Sequence, residues 1–131
     1  MRFPFPRFPA EFEIPDAWWI EAGMPGFTRQ GSAYRSSSVD MAALDDIEPL
    51  FRRVNTPRDW QGFRRTDLVK ALRSFVAGDE IPPIDLLILP RLGDMTCRDP
   101  YSYRIIDGYH RFYASIAAGF EFVPATTRRV Q

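Results

Sequence analysis

The chain is predicted to fold as a single compact α/β domain with a mixed sheet, and three features of the sequence predict it. Its 131 residues and 45% hydrophobic composition suit one core and are too few for two ordinary domains. Strand-like and helix-like hydrophobic periods alternate through its second half. Near the end, a helix of small and aromatic residues joins two strand-like runs, the order of a layered α/β structure.

Taken in order, the first 31 residues form an extension expected to pack on the domain, which covers residues 32–131. Prolines exclude a helix at the start, while Phe3, Phe5, Phe8 and Phe12 give an extended segment rings to bury. Pro15-Asp16 then opens a helix over "AWWIEAGM", with Gly23 or Gly26 as its stop and Trp18 and Trp19 as anchors. "SAYRSSSVDM" predicts a strand, and the acidic turn "LDDIEPLFRR" follows, where Pro49 discourages a long helix. A short helix is expected from Thr56-Pro57, and a longer one over Thr66–Ala77. In the latter, Leu68, Val69, Leu72, Phe75 and Val76 recur at three- and four-residue spacing before Gly78. "EIPPIDLLILP" leads into a buried strand at Ile84–Leu89, "YSYRII" is the next strand, Gly108 opens the last helix, and "FEFVPAT" is the final strand.

Charge and cysteine content narrow the function classes. Seventeen basic and seventeen acidic residues sum to zero, so global attraction to nucleic acid or membrane is absent and any basic site is local. Cys97 is the sole cysteine, which excludes an intrachain disulfide. The start "MRFPFPRFPAEFE" lacks the apolar run of a signal peptide, and the longest aliphatic run, Leu86–Leu89, is far below membrane-spanning length. A cytoplasmic location is expected, with no membrane partner.

The chemistry centres on "YRIIDGYHRFYASIAAGFEFVPA", which places Asp107, Gly108, His110 and Arg111 between a strand and a helix. The first-turn N–H groups of a helix lack intrahelical partners and the macrodipole adds positive potential, so such a junction favours an anion. Gly108 lets the backbone approach closely. Arg111 can fork to phosphate oxygens, and the single histidine, His110, can donate a hydrogen bond or move a proton near neutral pH. Asp107 is a candidate cap for the first turn. The same residues also suit an ordinary capped turn with a solvated His-Arg pair, so the local chemistry leaves both open.

"IPPIDLLIL" followed by "YRIIDGYHRFYASIAAGFEFVPA" resembles the ParB/sulfiredoxin superfamily, whose core joins a strand to a Gly-x-x-Arg helix start and a further strand. The resemblance covers Ile81–Thr127 and is weaker over Val39–Gly78. It implies a nucleotide or other phosphate ligand at Gly108, Tyr109, His110 and Arg111, with Arg52, Arg53 and Ser74 approaching from the preceding segment and helix. ATP or another nucleotide, with or without Mg²⁺, is the implied cofactor; no metal-ligand cluster is visible in the sequence. Tyr109 stands where sulfiredoxins have their catalytic cysteine, which removes that chemistry because a phenol cannot act as the thiol does. The ParB segregation proteins have Gly-Glu-Arg-Arg here. The nearest local pattern is the Asp-Gly-His-His-Arg form of members that include an ADP-dependent free-serine kinase.

Three functions fit. One is a phosphoryl-transferring or nucleotide-hydrolysing enzyme, in which Glu48 orients or deprotonates an acceptor while His110 and Arg111 stabilise charge. Another is a nucleotide-responsive module that engages a protein partner through its N-terminal aromatic segment. The third is a DNA-associated protein or nuclease, disfavoured by the zero net charge. Phe51–Arg73 holds seven basic and two acidic residues, a local net of 7 − 2 = +5, most of which reads as solvated helix face.

Overall fold

The N-terminal aromatic segment doubles back on itself. In the computed structural model, which describes residues 1–7, 10–37, 40–49, 63–89 and 101–129, Arg2–Pro4 (β1) and Glu11–Glu13 (β2) pair antiparallel with Phe3 opposite Phe12. Extended backbone suits the prolines, and alternation sends Phe12 inward while both flanking glutamates stay in solvent. Phe5 and Phe12 are buried, with ring centroids 5.7 and 5.1 Å from that of Tyr113. The extension therefore supplies rings to the core that the last helix occupies. A short helix, Asp16–Glu21 (α1), follows Pro15 and leaves Trp18 and Trp19 half-buried against that core.

A mixed five-stranded sheet carries the rest. Its strands are Met41–Ala43 (β3), Ile47–Glu48 (β4), Ile84–Ile88 (β5), Tyr103–Asp107 (β6) and Phe122–Arg129 (β7), in the order β3-β7-β5-β6-β4. β5 lies centrally, parallel to β7 and antiparallel to β6; β4 pairs parallel with β6, placing Glu48 opposite Arg104. Ile84, Leu86 and Val123 are fully buried in it. The strand expected over "SAYRSSSVDM" is confined at its end to Met41–Ala43, and a single 3-10 turn at Leu44–Asp46 separates it from β4.

Two helices pack together on this framework: Arg65–Ala77 (α2) and Tyr109–Ala118 (α3). α2 buries Leu68, Val69, Ala71, Leu72 and Phe75, as its period predicts. Val76, expected on the same stripe, is exposed; its neighbour across the α1–α2 contact is Gly23, which has no side chain to cover it. α3 buries Phe112, Tyr113, Ala114 and Ser115, the last bonding back to the Arg111 carbonyl. The described chain is thus one α+β domain, and no described helix is long and apolar enough to cross a membrane. The short helix expected at Thr56-Pro57, and Cys97, lie outside the described residues.

Candidate functional site: the β6–α3 junction and its cavity

β6 ends at Asp107, and the chain must reverse sharply to lay α3 back over the sheet. Gly108 makes that turn at φ +100°. A Cβ at this position would lie 2.8 Å from Ile84 Cγ2 and 3.1 Å from a terminal guanidinium nitrogen of Arg111. The turn therefore sits on the start of the central strand with no room for a side chain.

Among the described residues no side chain caps α3. The expected cap, Asp107, does not reach the first turn: Gly108 occupies the capping position, so Asp107 falls one residue too early, at the end of β6. Its exposed carboxylate lies 3.8 Å from Arg111 instead. The first intrahelical bond runs from the Phe112 N–H to the Gly108 carbonyl at 3.1 Å, so the N–H groups of the first turn precede the ladder as donors without an i−4 acceptor in the helix.

These donors border a cavity of about 920 Å³. One wall is α2, which presents Arg64, Asp67, Lys70, Ala71 and Ser74, a second stripe at three- and four-residue spacing beside the buried one. The opposite wall runs from Asp107 to Arg111, and Asp79 to Pro82 close the end. The structure thus brings Asp107, Gly108, Tyr109, His110, Arg111 and Ser74 together around one space.

His110 bridges the two walls. Its Nε2 accepts a hydrogen bond from the Arg64 backbone N–H at 2.9 Å, so the neutral ring carries its proton on Nδ1. Burial lowers its pKa, with Asp67 opposing and Arg64 reinforcing that shift. Tyr109 lies beside it, ring centroids 4.3 Å apart.

Arg111 has a structural role that the sequence does not announce. Its guanidinium donates to the carbonyls of Pro82 (3.1 Å) and Pro83 (3.4 Å), clamping the first turn of α3 to the segment that leads into β5. The Tyr34 hydroxyl donates to the same Pro82 carbonyl at 2.7 Å, and burial pushes that phenol well above its ordinary pKa despite the lowering influence of Arg111. Arg111 is off the apolar face, as its spacing indicates, yet it is engaged by the fold.

Lys70 differs from the other cations here. Arg64 lies 3.9 Å from Asp67, and Arg111 is held as described, but Lys70 has no ion-pair or hydrogen-bonding partner among the described residues. It faces the cavity uncommitted. The sequence groups Lys70 with solvated helix positions and Asp67 with the charge balance of Phe51–Arg73, and gives no sign of Asp79 or Glu80 as lining residues. The signal that was available is the second α2 stripe, whose partner no periodicity reveals.

Glu48, expected at the ligand end of the domain, lies apart from this cavity. It is buried in β4, its carboxylate forked by Arg104 at 3.2 and 3.4 Å, and it is not among the residues lining the cavity. Register explains why: Glu48 pairs opposite Arg104, three residues before Asp107, and three strand residues span about 10 Å. Asp46 pairs with Arg7 at 3.4 Å. Arg52 and Arg53 lie outside the described residues.

The cavity is bipolar. Asp67, Asp79, Glu80 and Asp107 line it together with Arg64, Lys70 and Arg111, and the α3 dipole adds positive potential at its first turn. Among the described residues no group of three or more His, Cys, Asp or Glu is placed to hold a metal ion. A magnesium ion carried in on phosphates would need only one or two carboxylates, and the lining supplies them. In comparisons with known proteins, no family model matches the chain and no curated protein matches it.

Proposed function

We propose that this chain binds a nucleotide, or another phosphate ligand bearing hydroxyl or amino groups, in the cavity between α2 and α3. The observation that carries the reading is the uncapped first turn of α3, opening behind Gly108 onto a cavity that also holds the uncommitted ammonium of Lys70. Backbone N–H groups and a fixed cation suit phosphate oxygens. Asp79 and Glu80 add exposed acceptors at the cavity, which a sugar hydroxyl or an amino group can match and fully ionised inorganic phosphate cannot. The same carboxylates disfavour a nucleic-acid backbone, whose charge repeats along its length. The ParB/sulfiredoxin resemblance of the motif points the same way. Phosphoryl transfer, if this site performs it, would draw on a cavity carboxylate such as Asp67 and not on Glu48.

Thermal-shift measurements with ATP, ADP, CTP, GTP and inorganic phosphate test this, because a ligand that binds only the folded state raises Tm by mass action. At least one nucleotide should stabilise more than phosphate does. Lys70→Ala should leave the ligand-free Tm nearly unchanged, as substitutions at uncommitted surface positions do, while weakening nucleotide binding about tenfold, or ~1.4 kcal/mol. No shift with any member of the panel would overturn the reading.

A further inference from the structure

We propose that His110 is a proton-operated latch between α3 and the N-terminus of α2, closed when neutral and opened by an anion entering the cavity. The anion half of this rests on the site reading above. The latch itself rests on geometry.

Arg64 precedes the first helical residue of α2, and its N–H is bonded to His110 Nε2, on another element and 46 residues away in sequence. Only the unprotonated nitrogen can accept that bond. Adding a proton turns Nε2 into a donor aimed at a donor, and also sets a cation at the positive end of the α2 dipole. Both effects release Arg64. Arg64, just before α2, and Asp67, in its first turn, face the ring with opposite charges; the Phe63 ring approaches to 6.2 Å from the stretch before α2, and Tyr109 lies beside it in its own turn. Lys70, Asp107 and Arg111 share the cavity with it. Burial favours the neutral ring, so the latch contributes stability that is fully present above the unfolded histidine pKa of about 6.5 and is lost as pH falls through the lower folded value.

An anion at the first turn of α3 reverses the balance, because its charge stabilises imidazolium within the same cavity. Part of a proton per chain is taken up from solvent as the anion binds, the amount set by the size of the midpoint shift, and by linkage acidification tightens anion binding. The ring then turns its donors towards the anion, and α2 loses its tether at the end that lines the site.

The chain has a single histidine, which makes the test direct. The imidazole and the Arg64 amide of the full chain are followed by NMR as pH is lowered from about 8 to 5, the range in which histidine titrates. The experiment is repeated in saturating sodium sulfate and in sodium chloride of equal ionic strength. The ring should be the Nδ1–H tautomer at high pH, and protection of the Arg64 amide from exchange should vanish with the histidine midpoint. Sulfate, but not chloride, should raise that midpoint by at least half a unit, roughly threefold tighter sulfate binding to the protonated form. His110→Gln retains an acceptor without titrating, so its Arg64 amide should stay protected throughout. An Arg64 amide that ignores the histidine midpoint overturns the latch. Sulfate that perturbs Lys70 and Arg111 without moving the midpoint overturns the coupling and leaves the anion site standing. Sulfate that perturbs none of these residues overturns the coupling and the anion site together.

Discussion

Replacing Gly108 by alanine probes the junction on which the site depends. Two costs add. At φ +100° an L-residue is forced into left-handed backbone, which costs about 1–2 kcal/mol. The new Cβ would also lie 2.8 Å from Ile84 Cγ2 and 3.0 Å from Ile84 Cβ, and Ile84 is fully buried in the central strand with nowhere to retreat. Overpacking of this kind costs about 1–3 kcal/mol. The sum, about 2–5 kcal/mol, should lower Tm by roughly 10 °C, since each kcal/mol is a few degrees for a chain of this size. Gly119→Ala is the internal control. Gly119 ends α3 at φ +90°, but no atom lies within 4 Å of its ideal Cβ, so only the backbone cost applies. Thermal and urea unfolding of the wild type and both variants, followed by circular dichroism, gives the comparison. Gly108→Ala should lose at least about 1 kcal/mol more than Gly119→Ala. Equal losses would refute the close approach of the turn to β5, and with it the placement of the first turn of α3 on the cavity.

Phe12→Ala should cost about 3–5 kcal/mol, because Phe12 is buried and its ring meets those of Phe3, Phe5, Phe63 and Tyr113. A loss below about 1 kcal/mol in urea unfolding would show that the N-terminal hairpin is not part of the core. Glu48→Gln should lower stability by about 1–3 kcal/mol, less than a fully buried pair because Arg104 is half-exposed, and should leave nucleotide affinity unchanged. Intact stability with lost ligand response, read by urea unfolding and calorimetric titration, would return Glu48 to the site.

The elements were legible where one physical signal sufficed. The α2 stripe, the aliphatic run of β5 and the glycine that opens α3 are each local patterns, and the structure places them within a few residues of where those patterns end. β1, β2 and β4 were not legible because strands of two or three residues are set by their partners; nothing in "IE" announces that it pairs beside Tyr103 and Arg104. The same limit applies at the site. The motif marks the first turn of α3, but the opposite wall depends on how α2 crosses α3, a tertiary fact. Glu48 illustrates the converse: the segment before the first helix does not announce its strand register, which sets Glu48 opposite Arg104, about 10 Å of strand before Asp107.

The double use of Arg111 decides which residue can report on ligand binding. One terminal nitrogen donates to both proline carbonyls, and the other lies over Gly108 and near Asp107. Forking this guanidinium onto a phosphate would therefore break the clamp that fixes the turn, although Tyr34 would still satisfy the Pro82 carbonyl. The arrangement favours a fixed guanidinium that adds charge from where it stands while backbone N–H groups make the contacts. Loss of Arg111 would then disturb the fold and the ligand response together, and the two could not be told apart. Lys70 reaches the same cavity from a helix whose packing it does not serve, so a change there acts on the ligand alone.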